Sequence, residues 1–157
     1  MTYRLIEKKD YKIVSELIAR SMENSNFANF YPFSLIEAIK ESLNETGVEK
    51  RASWTHFYVI EENDEIIACG AIGPYWDSKT ESSLFNIFVD PKYQGKGYGK
   101  KMVEILESDE YFLRAERIEI PASMSAIPFY RKLGYEHKGG KLEYKDGHFA
   151  LEKFNKK

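Results

Sequence analysis

The chain reads as an α/β fold, a mixed β-sheet with helices on its faces. Three observations predict it. Strand-like runs alternate with segments of helical apolar spacing along the sequence. A glycine-rich run, Gln94-Gly95-Lys96-Gly97-Tyr98-Gly99, lies where a strand gives way to a helix. The order of elements is strand, two helices and a hairpin, then strand–helix–strand–helix, then a second hairpin. A chain of 157 residues suits one domain, residues 1–157, able to bury roughly 70% of its unfolded surface.

Each element has its own signal. Tyr3 to Glu7 is a short strand. Asp10 caps a helix whose apolar residues Ile13, Val14, Leu17 and Ile18 share a face. Ser34-Leu35-Ile36-Glu37 fits a capping box and predicts a second helix from Leu35 to about Leu43. Between them, residues 25–33 form an aromatic loop. Its rings Phe27, Phe30, Tyr31 and Phe33 either join the local core or wall a substrate cleft. His56–Glu61 and Ile66–Ala71, separated by Glu62-Asn63-Asp64-Glu65, form a hairpin. Gly70 and Gly73 suggest a bulge or bend in its second strand.

Leu84–Val89 is apolar on both alternating faces except at Asn86, as in a central strand covered on both sides. The helix after the glycines carries Met102, Val103, Ile105 and Leu106. Arg117–Pro121 is a short strand. Ser125–Leu133 is a helix closed by Gly134 as its C′ residue. In the tail, Asp146-Gly147 signals a hairpin turn.

Composition narrows the function. Hydrophobic residues are 43% and charged residues 31%, a balance that suits a soluble globular protein. The net charge of −2 and the lack of a basic stripe argue against nucleic-acid binding. Cys69 is the sole cysteine, which excludes an intrachain disulfide and a cysteine-based zinc site. No base stands beside it in sequence, so it reads as a core residue. No apolar run approaches the roughly 20 residues of a membrane span. Met1–Glu7 lacks the long apolar stretch of a signal peptide, so the expected location is cytoplasmic. The expected partners include neither nucleic acid nor a membrane. An exposed edge near the C-terminal hairpin is compatible with a homodimer.

Three glycine-rich motifs compete for residues 94–101. A P-loop requires a first glycine where Gln94 stands and a hydroxyl residue where Lys101 stands, so it fails twice. The dinucleotide fingerprint Gly-x-Gly-x-x-Gly fits Gly95 and Gly97 but meets Lys100 at its last position. The pattern Gln/Arg-x-x-Gly-x-Gly/Ala is met by Gln94, Gly97 and Gly99. In every case, several amides and a helix N-terminus converge on one small space. That favours a multiply charged anion such as pyrophosphate.

The third pattern, preceded by Val89-Asp90-Pro91 and followed by Ala126-Ile127-Pro128-Phe129-Tyr130-Arg131-Lys132-Leu133-Gly134-Tyr135, resembles the GNAT superfamily of acyl-CoA-dependent N-acetyltransferases. The likeness is close over about residues 84–138. It implies that the amides of Gln94, Gly95, Lys96, Gly97, Tyr98, Gly99 and Lys100 bind the pyrophosphate of acetyl-CoA. It implies that the backbone near Phe88 and Val89 holds the pantetheine arm. Tyr130 matches the tyrosine beside the thioester sulfur, and Ala126 and Phe129 match residues packed near the cofactor. Ser123 stands where the family often has Asn.

The implied reaction is direct acetyl transfer from acetyl-CoA to a primary amine of a small molecule or protein. Tyr130, a phenol of pKa about 10, donates a proton to the leaving sulfur. A strand amide near Phe88 holds the oxyanion. A lysine-like ammonium costs roughly 4–5 kcal/mol to deprotonate at pH 7, so a base or water chain should assist. Ungapped matching puts Ser83 where the family often has a glutamate. Glu81, two residues away, is the candidate base, and His56 is a second. Phe27, Phe30, Tyr31, Phe33, Trp54, Tyr75 and Trp76 are candidates for an acceptor pocket or for packing of the early helices. Arg114, Arg117, Lys138 and Lys141 read as surface charge, one of them available to a 3′-phosphate. The alternative function is a non-catalytic acyl-CoA-binding sensor or assembly module.

Overall fold

The computed structural model describes residues 1–24, 28, 31–145 and 147–155. In chain order these form β1 (Thr2–Leu5), α1 (Tyr11–Glu23), α2 (Phe33–Ser42), α3 (Glu45–Ala52), β2 (His56–Glu62), β3 (Glu65–Pro74) and β4 (Glu81–Val89). They continue with α4 (Tyr98–Glu107), α5 (Glu110–Leu113), β5 (Arg117–Ala122), α6 (Ile127–Lys132), β6 (Glu136–His137), β7 (Tyr144–Lys145) and β8 (His148–Phe154). The sheet order is β1-β2-β3-β4-β5-β8-β6, with β7 paired to β8. The β4–β5 pair is parallel, and the other pairs are antiparallel. The mixed sheet is therefore as expected. Phe27, Phe30 and Asp146 lie outside the described residues.

Helices cover both faces because strand side chains alternate. On one face α1, α2 and α3 bury Val14, Leu17, Ile18, Met22, Ile36 and Val48 against Phe57, Val59, Cys69 and Ala71. On the other, α4 and α6 bury Met102, Val103, Leu106 and Tyr130 against Ile60, Ile67, Ile72, Leu84 and Ile118. Ile13 departs from expectation and is 48% exposed. It sits a rotation of roughly 100° from Val14, at the rim of the stripe.

The helix starts also needed correction. Pro32, in extended backbone, caps α2. Its carbonyl takes the Leu35 and Ile36 amides at 3.1 and 3.2 Å. Ser34 therefore lies inside the first turn, and no capping box forms around it. Glu37 instead accepts from Lys40 at 3.2 Å. Helix α3 had no counterpart in the sequence reading. It starts because the Asn44 side chain accepts from the Gly47 amide at 2.9 Å, and Val48 is the residue it buries. One apolar position in a short helix gives no periodicity to read.

Two irregularities shape the sheet. The β2–β3 register shifts between Ile60 and Glu61, so Ile67 is an extra residue of β3. The β3–β4 register passes from Cys69↔Phe88 to Ala71↔Phe85. Two steps on β3 thus face three on β4, and the bulge belongs to β4. Asn86 occupies it with φ 54°, a left-handed conformation that Asn tolerates better than most residues. Gly70 and Gly73 serve close approach instead. A Cβ on Gly70 would lie 2.7 Å from Met102 Cγ, and one on Gly73 would lie 2.8 Å from Thr55 Cγ2.

The Gly70 contact sets how closely α4 sits on the sheet. Gly70→Val is expected to cost about 1–3 kcal/mol through overpacking. Urea unfolding of the variant measures it, and an unshifted midpoint contradicts the packing account.

Candidate functional site

Strands β4 and β5 run together for only three register pairs, Glu81↔Arg117, Ser82↔Ile118 and Ser83↔Glu119. Beyond Ser83 they part. The segment from Leu84 to Val89 then has no partner strand on its β5 side, although β3 still pairs its other edge. The gap is a cleft of about 1500 Å³. Its walls are β4 on one side and Glu119 to Ser123 on the other, with α6 and the glycine run at one end.

Most residues singled out from sequence converge here. Phe88, Val89, Gln94, Gly95, Gly97, Tyr98, Gly99, Lys100, Ser123, Ala126, Phe129 and Tyr130 all line the cleft. Lys96 does not; its ammonium lies 5.6 Å from the centre of the Tyr93 ring. Gly95 and Gly97 have φ of 76° and 89°, which turn the chain back before α4 begins. A Cβ at either would meet nothing within 4 Å, so open space faces their backbone. Lys101 gives the first helical bond, to Gly97 at 3.0 Å. The Tyr98, Gly99 and Lys100 amides thus have no carbonyl one turn back within the helix. Gly99 has a separate role: a Cβ there would sit 3.2 Å from Phe129 Cζ, so it lets α4 approach α6.

Tyr130 is 6% exposed and packs edge-on to Phe129, with ring centres 5.0 Å apart. Burial pushes its phenol well above the usual value, so it remains protonated at neutral pH. Asn86 also lines the cleft, with its Oδ1 buried and without a hydrogen-bond partner among the described residues. Sequence reasoning noted Asn86 only as an interruption in an apolar run. Its tolerance of left-handed backbone was the available signal.

Glu81 is corrected. It does not line the cleft, and its carboxylate accepts from Arg117 Nε at 2.8 Å. Arg117 is itself 9% exposed, so it is not surface charge. It also binds Glu119 and Glu152, each at 3.0 Å. Lys138 completes the cluster, on Glu119 at 3.0 Å and on the Tyr75 hydroxyl at 3.2 Å. Ser83 is buried at the cleft wall. His56 is committed elsewhere, with Nδ1 2.8 Å from Asp109, which also accepts from Tyr58. Cys69 is fully buried, and burial pushes its thiol up to about 12. That agrees with a core role.

The aromatic candidates divide. Trp54, Tyr75 and Trp76 line the cleft, joined by Phe85 and Tyr93. Phe33 is 77% exposed and lies outside it. Tyr31 is buried, and its hydroxyl accepts from the Met124 amide at 2.8 Å, linking the segment before α2 to the turn after β5. The end of β4 is fastened to α1. Ser21 Oγ donates to the Val89 carbonyl at 2.7 Å, and Arg20 pairs with Asp90 at 2.8 Å. Among the described residues no helix is long and apolar enough to cross a membrane, and no cluster of acidic, histidine or cysteine side chains suits a metal.

Comparison with known proteins agrees with this architecture. The profile of the acetyltransferase (GNAT) domain matches residues 53–137. An uncharacterized acetyltransferase of Streptococcus pyogenes is 32% identical over 99 residues, 61% of this chain; the match spans 64% of that relative's length. The PaiA N-acetyltransferase of Thermoplasma acidophilum, crystallised with coenzyme A, superposes with a TM-score of 0.80 at 16% identity over 98% of both chains. A GCN5-related N-acetyltransferase structure from Rhodopseudomonas palustris gives 0.78 at 18% identity, covering 98% of this chain and 95% of that one. At such identities the structural likeness speaks for the fold.

Asp90 offers a pH test of the β4 anchor. Burial alone would push its carboxyl up. The Lys92 amide and the Arg20 guanidinium outweigh that and hold it below the usual carboxylate range. The stability this confers is fully present above about pH 4 and is lost as pH falls through the lower folded value. Arg20→Met should weaken the fold at neutral pH by about 1 kcal/mol, since Arg20 is half-exposed. It should also start the acid loss at a higher pH. Urea midpoints across about pH 2–6 report both effects, and an unchanged profile contradicts the link.

Proposed function

The chain belongs to the GNAT acetyltransferase family, and we propose that it transfers the acetyl group of acetyl-CoA to a primary amine of a small molecule or protein. The observation that carries this reading is the parting of β4 from β5 beside the glycine run. One cleft thereby joins an unpaired strand edge, a cradle of free amides and a protonated phenol.

The residues present fit the cofactor. Gly95, Gly97 and the first amides of α4 are the groups that would hold a pyrophosphate, because helix N-termini and left-handed glycines direct N–H groups at anions. The free edge from Leu84 to Val89 offers main-chain groups to an extended amide-bearing arm, as in strand addition. The orphaned Asn86 Oδ1 is a further acceptor in that wall. Acetyl-CoA supplies an activated thioester whose carbonyl an amine attacks, with a thiolate as the leaving group.

Tyr130 Oη carries the proton for that leaving group. Its raised pKa keeps it protonated, so it is present as a donor and not as a base. Backbone N–H groups near Phe88, left without a neighbour strand, would serve the oxyanion. The amine must arrive neutral, and the described lining carboxylates leave that task to water. Glu119 is bound to Arg117 and Lys138, and Asp77 stands exposed. The open cleft admits water to take the proton.

Tyr130→Phe should lower kcat roughly 100-fold while leaving acetyl-CoA affinity within about twofold. Thiol release across an amine panel, paired with calorimetry, separates the two quantities; unchanged turnover removes Tyr130 from the donor role. Gly97→Val forces a β-branched residue into left-handed backbone, at a cost of more than about 1–2 kcal/mol. The expected result is at least about tenfold weaker acetyl-CoA binding in a folded protein. An unaltered dissociation constant contradicts the amide cradle. Acetyl-CoA binding without turnover of any amine would favour the sensor reading.

A further inference from the structure

Arg51 lies in the last turn of α3 and lines the cleft beside Trp54 and Phe85. Its guanidinium carbon lies 4.2 Å from the centre of the Phe85 ring and 5.3 Å from that of Trp54. The other arginines all have oxygen partners. Arg4 binds Asp10 and Glu61, Arg20 binds Asp90, Arg117 binds three glutamates, and Arg131 binds Glu136. Arg114 donates to the Ser78 and Glu81 carbonyls. Arg51 differs from all of these. Among the described residues no carboxylate lies within ion-pair distance of it, and no oxygen accepts from its guanidinium.

Burial pushes the Arg51 pKa down, with no partner to offset it. Even so, a guanidinium stays charged at neutral pH. Leaving a partly desolvated cation without a counter-charge is unfavourable, and a bound anion offsets that cost. The aromatic contacts hold the group in place and leave its N–H fork for planar, bidentate recognition. The surroundings define the anion. One uncommitted guanidinium matches a single negative charge, whereas a phosphate dianion calls for a second cation. Lys100, the lysine that lines the cleft, stands at the glycine run, where the pyrophosphate is proposed to sit. Leu43, Trp54 and Phe85 offer apolar surface beside the fork.

We propose that Arg51 reads a carboxylate on the acceptor, so that the amine substrate is an amino acid with an apolar side chain. This rests on the acetyl-transfer reading above and names its substrate class. The carboxylate sits on the Arg51 fork, the side chain lies against Trp54 and Phe85, and the amine is left to face the reacting end of the cleft.

The test uses calorimetry on the whole chain, with and without coenzyme A, titrating N-acetyl-L-leucine against N-acetyl-L-leucinamide and the phenylalanine pair likewise. Thiol release with the free amino acids and their amides runs in parallel. The expected result is at least about tenfold preference for the acid over the amide. Arg51→Gln should reduce the acid to the level of the amide while coenzyme A affinity stays within about twofold, and Arg51→Lys should fall between. If Arg51→Gln does not fold, Arg51→Lys carries the comparison. Equal binding of acid and amide, silence from both, or a preference that survives the loss of the guanidinium overturns the proposal. Coenzyme A binding without acid preference sinks this inference and leaves acetyl transfer standing. Acid preference without coenzyme A binding removes the acetyl-transfer reading and with it the acceptor role, leaving Arg51 as a carboxylate-binding group only.

Discussion

The site depends on β4 being paired along one edge and abandoned along the other. Its β3 side keeps the ladder through a bulge, while its β5 side loses its partner after Ser83. A bulge bends a strand and raises its local twist. Asn86 takes the left-handed backbone this requires, within the stretch that β5 has already ceased to pair. Unpaired main-chain groups are normally a liability at a sheet edge. Here they lie inside a cleft, where an extended ligand can satisfy them. Ser21 and Arg20 fix the far end of the strand to α1, so the free edge is held open without a neighbouring strand.

The glycine run supplies the other half of the geometry. Its left-handed residues turn the chain sharply enough for α4 to begin facing the gap. Gly99 and Gly70 let that helix approach α6 and β3. The glycines thus do two different jobs. Some free the backbone to turn, and others vacate space for a neighbour. Behind the opposite wall, Arg117 gathers Glu81, Glu119 and Glu152. That leaves the cleft with few free carboxylates and makes Arg51 stand out as the arginine without a counter-charge among the described residues.

Much of this was legible before the structure. The hairpin of β2 and β3 and the apolar run of β4 marked the sheet, and Gln94, Gly97 and Gly99 marked the turn. The regularly spaced Met102, Val103 and Leu106 marked the helix behind it. What escaped detection had physical causes. Helix α3 buries one apolar residue and so has no period. Asn44 starts it through a side-chain bond that many loop asparagines also make. Two of the three carboxylates on Arg117, Glu81 and Glu152, are distant in sequence, so its burial was hidden. Glu81 sat near the expected position of a base, but a cross-strand neighbour claims it. Register decides such pairings, and register is not visible in a local window. Arg51 was overlooked for the same reason: a missing partner becomes visible only when every nearby group has been located.

The hydroxyl of Tyr31 and the amide of Met124 lie on segments far apart in the chain, one leading into α2 and the other following β5. Met124 lines the cleft, whereas Tyr31 is buried behind it in the helical layer over the sheet. The bond therefore ties one stretch of the rim to that layer from outside, and its own net worth is about 0.5–1.5 kcal/mol, that of an ordinary hydrogen bond.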